Sequence, residues 1–219
     1  MRKEKTIIVL DNGKELRFHL RQMSAFDFEN WLLRLGHILR RAGLDVPPGQ
    51  EVQAASDALV RGNFRVPVGV FAAGSDKAET LMCEMLLSCS HIDAMGRRTP
   101  LTPDLADDLV DNASILMGLY AEALAFNLDW AVADPEDVPS LAPLKLPQEA
   151  RYNQAQTRNG ASGRPAVSTC EALVISGLAT MKELKNDYSF RGALELIRVL
   201  NIKSYDAWLV MDARQTQRR

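Results

Sequence analysis

The chain has few of the residues from which catalytic and metal sites are usually built. Its 219 residues include only 3 histidines and 3 cysteines, and aromatic residues make up 6%. A structural zinc site needs four Cys or His ligands, usually as two pairs. Cys89 and His91, with Asp93 beside them, are one pair without a second. The glycines match neither phosphate-loop nor dinucleotide-binding spacing. We therefore expect no enzymatic activity, no metal and no cofactor.

Long apolar runs and export signals are also missing. The apolar runs are far shorter than the ~20 residues that span a bilayer. The N-terminus starts at Met1 with a charged stretch and passes directly into a strand pattern, without the apolar segment and cleavage site of a signal peptide. An odd number of cysteines in such a chain predicts reduced thiols in a cytoplasm. The net charge of −2 is too near neutral for a dedicated nucleic-acid binder. We expect neither membrane nor nucleic acid as a partner.

One segment, residues 131–167, divides the chain. It contains five prolines, and its second half is almost entirely polar, so it cannot bury enough surface to offset the entropy lost on ordering. We predict a body at 1–130, a flexible linker at 131–167 and a small basic three-helix module at 168–219. Residues 1–150 carry 15 Lys/Arg and 22 Asp/Glu, a net charge of −7, whereas residues 151–219 carry 11 and 6, a net charge of +5. An acidic body joined to a basic module is typical of a protein that connects two partners.

The predicted fold is mostly α with a small N-terminal β-hairpin, an α+β body followed by a helical module. Two strand patterns, Thr6–Leu10 and Glu15–Leu20, flank the type I′ turn pair Asn12-Gly13. Helices are predicted from Ser24 to Gly43, over residues 51–60, and from Ser75, while residues 64–73 are ambiguous and residues 91–101 are predicted as a loop. Thr102 and Pro103 start a helix or helix pair that runs to about Trp130. In the module, a capping box at Ser168 and Glu171 starts the first helix, and breaks at 187–189 and 201–204 separate the other two.

The last helix of the body is apolar on two faces. Ile115, Leu119 and Phe126 lie on one face, and Leu116, Tyr120 and Leu124 lie on another. Such a helix is either central to the fold or covered by a partner. The candidate partner-binding residues are Leu116, Leu119, Tyr120, Phe126, Trp130 and Trp208.

Four aspartates form the main alternative site. Asp104, Asp107, Asp108 and Asp111 are spaced as on one helix face. A solvated face near a helix N-terminus, where the dipole favours anions, explains them. The alternative is a Mg²⁺ site in a small metal-dependent enzyme, but the sequence shows no second cluster to complete the ligand set.

The body resembles the tail assembly chaperones of long-tailed bacteriophages, especially those of Mu-like and related prophages. The similar residues are the opening KTIIVLDNGKELRFHLRQMSAFDFENWLLRL, the LDVPPG break, and RRTPLTPDLADDLVD with the apolar helix after it. Family members also begin with a small hairpin that leads into R-x-M-x-A and a Trp-containing helix. The resemblance covers residues 5–130 and includes no catalytic signature.

The resemblance implies a protein that binds the tape measure protein in the host cytoplasm, keeps it soluble and helps tail tube subunits assemble around it. It also implies absence from the mature virion. Many members have a long form with a C-terminal module made by programmed frameshifting, and the two-part layout here is similar to that long form. Self-association into a homo-oligomer stays open at this point. Within the binding class, the alternative is a structural protein of the mature tail.

Overall fold

A computed structural model describes residues 1–46, 49–61, 76–129 and 168–216. The expected linker at 131–167, the ambiguous stretch at 64–73 and Trp130 lie outside the described residues. The side chain of Trp208 is outside them too. The described part is an α+β fold, mostly helical, with four strands and eight helices.

The N-terminal hairpin is confirmed. Strand β1 (Glu4–Asp11) pairs antiparallel with β2 (Lys14–Arg21), with Asp11 opposite Lys14. Asn12 and Gly13 have φ values of 48° and 82°, the left-handed conformation that a type I′ turn needs at both central positions. In β2, Leu16, Phe18 and Leu20 point into the core.

The predicted loop at 91–101 is wrong, because two further strands extend the sheet there. Strand β3 (Cys89–Ile92) pairs with β2, and β4 (Arg98–Pro100) pairs with β3, giving the order β1-β2-β3-β4. These strands are too short for period-2 alternation to be visible in the sequence. They form because the edge of β2 that does not pair with β1 has backbone N–H and C=O groups available for hydrogen bonding. In this pairing His91 lies opposite Phe18.

The first helix, α1 (Ala25–Arg41), is the centre of the helical layer. The Ser24 hydroxyl accepts the N–H of Asp27 as the predicted N-cap. The helix buries a wide stripe that includes Phe28, Trp31 and Leu35. The Trp31 indole N–H donates to the carbonyl of Leu81 at 2.9 Å, so this buried polar atom is satisfied.

Four more helices complete the body around α1. They are α2 (Glu51–Arg61), α3 (Asp76–Leu86), α4 (Pro103–Leu109) and α5 (Ala113–Asn127). Of the single helix or helix pair predicted after Thr102, the structure has the pair, and the Thr102 side chain accepts the N–H of Leu105 as the predicted N-cap. Val110 has extended backbone angles, which separates α4 from α5.

The C-terminal part has three helices, with boundaries that differ from the predicted ones. They are α6 (Thr169–Ile175), α7 (Met181–Asn186) and α8 (Phe190–Thr216). The capping box of Ser168 and Glu171 is confirmed. The first predicted helix is interrupted after Ile175, and the predicted break at 201–204 is wrong because α8 continues through it.

The helices cover one face of the sheet, and the buried apolar residues form two clusters. The main core joins β2, α1, α2, α3 and α5, and it includes Phe190 from α8. A second cluster lies between α1 and the C-terminal helices around Ala25, Cys170 and Leu184. The rings of Phe28 and Phe190 meet edge to face at 5.5 Å. Whether residues 1–130 fold independently of the module stays a prediction.

Candidate partner-binding surface

The edge strand β1 exposes two large apolar side chains. Successive residues of a strand point to opposite faces, so Ile7 and Val9 pack on the core while Ile8 and Leu10 point away from it. Ile8 is 60% exposed and Leu10 is 70% exposed. Two exposed apolar side chains next to each other on an edge strand make this surface a candidate contact site.

The sheet register places arginines beside these apolar residues. Ile8 is opposite Arg17, Arg17 is opposite Ile92, and Ile92 is opposite Arg98. The Arg17 side chain is 59% exposed and that of Arg98 is 55% exposed. We call this outward surface of the sheet the open sheet face, which comprises Glu4, Thr6, Ile8, Leu10, Glu15, Arg17, His19, Arg21, Ser90, Ile92, Arg98 and Pro100. Its three arginines outnumber its two glutamates.

A buried histidine organises one end of the open sheet face. The Arg98 guanidinium lies 2.9 Å from His19 Nε2, and Glu4 lies 3.3 Å from the same nitrogen and 3.2 Å from Arg21 Nε. His19 Nδ1 is buried without a hydrogen-bond partner in the described part of the chain. The Glu4 carboxylate also lies 3.9 Å from Arg98, so one carboxylate contacts two guanidinium groups on this surface.

Two of the four predicted partner-binding residues of α5 lie inside the molecule. Leu119 and Tyr120 are each 2% exposed, and burial raises the pKa of the Tyr120 hydroxyl above its usual range. Leu116 and Phe126 are half-buried, and the Lys5 ammonium lies 4.8 Å from the centre of the Phe126 ring. Of the two interpretations of this helix, the structure favours the central one. A role of these residues in partner binding stays a prediction, and for Leu119 and Tyr120 it would require the core to open.

The four aspartates do not share one helix face. Asp104, Asp107 and Asp108 are in α4, but the helix ends at Leu109 and Asp111 lies beyond it. The backbone N–H of Asp111 donates instead to the buried carboxylate of Asp11 at 2.8 Å. Over the described ranges, no group of three or more Cys, His, Asp or Glu side chains is arranged to hold a metal ion.

The residues around Cys89 have structural roles. Cys89 is fully buried, and burial raises the pKa of its thiol to about 11. The His91 ring packs edge to face on Phe18 at 6.0 Å. The Asp93 carboxylate accepts the N–H groups of Met95 and Arg97, both at 2.9 Å, and so forms the turn between β3 and β4. These hydrogen bonds lower the pKa of Asp93.

The open sheet face was absent from the residues proposed on sequence grounds. A signal for it was present, because the first strand is apolar on both faces at Ile7, Ile8, Val9 and Leu10. A strand that is solvated on one face should alternate apolar and polar residues. The departure from alternation indicates a second surface to be covered.

Comparison of the chain with family models, curated proteins and solved structures gives no match. The functional argument therefore depends on the open sheet face and the sequence resemblance. No helix within the described ranges is long and apolar enough to cross a membrane.

Proposed function

We propose that the chain is a non-enzymatic tail assembly chaperone of a long-tailed bacteriophage, which binds the tape measure protein and keeps it soluble. The resemblance of residues 5–130 supports the family. The observation that carries the proposal is the exposure of Ile8 and Leu10, 60% and 70%, on a sheet face that also presents Arg17 and Arg98.

The chemistry of this surface fits an amphipathic helix with acidic flanks. Its apolar stripe would cover Ile8 and Leu10, removing both partners' apolar surface from water. Acidic side chains beside the stripe would meet the arginines. Charge complementarity of this kind mainly sets orientation and encounter rate rather than raw affinity. Long helical proteins aggregate through exposed apolar stripes, and such cover prevents this.

The basic C-terminal part has a second role in the proposal, the recruitment of tail tube subunits. Residues 151–219 carry a net charge of +5, and Lys182, Arg198 and Lys203 are exposed. Exposed charges speed encounter with an acidic partner and are screened beyond about 8 Å at physiological ionic strength. Capture of tube protein by the full chain should weaken in high salt. It should also weaken in the Lys182→Glu/Arg198→Glu variant at low salt.

The proposed site of action is the host cytoplasm, with the protein absent from the mature virion. A structural protein of the finished tail would share the same surfaces. Protein analysis of purified particles separates the two functions, because only the structural protein remains in the particle.

The direct test is co-expression of the chain with the very long, helix-rich protein expected from the neighbouring downstream gene. We expect the soluble fraction of that protein to rise with the wild-type chain and to fall again with Leu10→Asp. Leu87→Asp is the matched control, since Leu87 is 50% exposed but lies after α3, outside the open sheet face. Equal protection by both variants would remove the open sheet face from the proposal. No protection by the wild-type chain would reject the chaperone function.

A further inference from the structure

Among the described side chains of α8, the buried ones lie in the first part of the helix. Phe190, Ala193 and Leu200 are buried, whereas from Asn201 to Val210 every described side chain is half-buried or exposed. The helix nevertheless continues to Thr216. A helical segment whose described side chains are so little buried is marginal in water, because most helix stability in proteins comes from burial of an apolar face.

The distal half of α8 has such a face, and nothing among the described residues covers it. Val199, Ile202, Leu209 and Val210 are 42%, 42%, 43% and 52% exposed. At 100° per residue these positions fall within a stripe about 100° wide. We call it the α8 stripe. Asp206 lies at its centre and Lys203 at its edge, and both are exposed.

We infer that the α8 stripe binds the same stripe of a second copy of this chain, with the two helices antiparallel. The order of charges selects the direction. Parallel helices would bring the two Asp206 carboxylates together in the middle of an apolar contact, where like charges repel. In the antiparallel arrangement, each Asp206 lies near Lys203 of the second copy.

The apolar residues agree with this direction. Antiparallel helices centred near Ser204 place Val199 level with Leu209 of the second copy, and Ile202 level with the methylene of its Asp206. A two-fold axis repeats each contact. The dimer therefore contains the Val199–Leu209 contact twice and the Asp206–Lys203 ion pair twice. The inference is independent of the proposed binding of the tape measure protein, because it concerns the opposite end of the chain from the open sheet face. It does involve Lys203, which is also one of the exposed cations in the proposed recruitment of tail tube subunits.

The first test measures mass in solution by sedimentation equilibrium on the full chain. We expect the wild type at twice the 24.3 kDa chain mass and Ile202→Glu at the monomer mass. Ala207→Glu is the control, since this exposed residue of the same helix lies outside the stripe, and it should remain dimeric. Circular dichroism checks that all three chains are equally folded. A monomeric wild type, or a dimer that survives Ile202→Glu, would overturn the inference.

The second test addresses direction. Asp206→Lys should weaken the dimer at least ~10-fold, a change of about 1.4 kcal/mol in association free energy, and adding Lys203→Glu should restore it. In a Cys83→Ser background, a mixture of Val199→Cys and Leu209→Cys chains should form mixed disulfide dimers with an added oxidant. Crosslinks only between identical chains would show parallel helices and reject the antiparallel arrangement.

Discussion

The carboxylate of Glu29 in α1 accepts the backbone N–H of Cys170 at 3.0 Å, across 141 positions of sequence. It also accepts the N–H of Thr169 at 2.5 Å. Both donors belong to the first turn of α6, whose N–H groups have no partner within the helix. Glu29 is 6% exposed, so a buried anion is stabilised by backbone groups of the C-terminal part.

This contact predicts that a nearly isosteric substitution of Glu29 lowers the stability of the protein substantially. Glu29→Gln keeps the shape but removes the charge and turns one acceptor into an amide group that faces the α6 N–H donors. We expect the free energy of unfolding to fall by about 1.5–3 kcal/mol, the range for hydrogen bonds to charged groups. Chemical denaturation of the full chain measures it. Glu122→Gln, which removes an exposed ion pair with Lys5, should change stability by less than about 1 kcal/mol. Similar losses in both variants would contradict the role of Glu29.

Two helical glycines predict opposite responses to alanine. A Cβ on Gly36 of α1 would lie 2.3 Å from the Glu51 carbonyl oxygen, because α1 and α2 approach closely there. A Cβ on Gly118 of α5 would meet nothing within 4 Å. We expect Gly36→Ala to destabilise the protein by about 1–3 kcal/mol through overpacking. Gly118→Ala should stabilise it by up to about 1 kcal/mol through helix propensity. Thermal unfolding compares the two, and a neutral Gly36→Ala would mean that α2 can move away.

The predicted division of the chain is tested by limited proteolysis. The first cut is expected between 135 and 165, because this polar, proline-rich stretch is unable to bury much surface. The two fragments should then elute together in gel filtration, since Phe28 packs on Phe190 and Glu29 binds α6. A first cut within α1 or α5 would contradict the division. Fragments that separate would show that the contacts with α1 are too weak to persist without the covalent connection.

Local signals explain which parts of the fold were predictable. The hairpin is predictable because its turn type and its pairing are both determined locally, by Asn12-Gly13 and the few residues on either side. Strands β3 and β4 were missed because they depend on the edge of β2, which is some 70 residues away in the chain. A continuous α8 was missed because Asn201 and Ser204 are typical of helix ends. In the structure, the Ser204 hydroxyl donates to the Leu200 carbonyl at 2.9 Å, which satisfies it inside the helix.

The candidate site was less predictable than the fold for a related reason. The apolar residues of α5 show that two of its faces must be buried. The sequence does not show whether other parts of the chain or a partner protein bury them. Leu119 and Tyr120 proved to be core. The exposure of Ile8 depends on which face of β1 the helices cover, and that choice is made by tertiary packing.

The three cysteines should differ sharply in reactivity. Cys83 is half-buried, and burial, with Glu79 and Asp107 nearby, raises the pKa of its thiol. Cys89 and Cys170 are buried; burial raises the thiol pKa of both, and the Glu29 carboxylate raises that of Cys170 further. Since the thiolate is the reactive form, iodoacetamide at neutral pH should label Cys83 slowly and the other two only after unfolding. Mass spectrometry of peptides measures this, and Cys83→Ser should abolish labelling of the native chain.

The same thiol pKa predicts how stability changes in alkali. The pKa of Cys89 rises from 9.0 to about 11 on folding, so between these values the folded chain holds a proton that the unfolded chain releases. Stability falls with rising pH wherever the folded state binds more protons. The contribution of Cys89 is therefore complete below pH 9 and is lost as pH rises toward 11. Denaturation of the wild type and Cys89→Ala between pH 8 and 11 isolates it. We expect the variant to be less stable than the wild type at pH 8, because the substitution leaves a cavity. Between pH 8 and pH 11 the variant should lose less stability than the wild type does. Parallel pH profiles for the two chains would show that the Cys89 thiol is not protected from ionisation by burial.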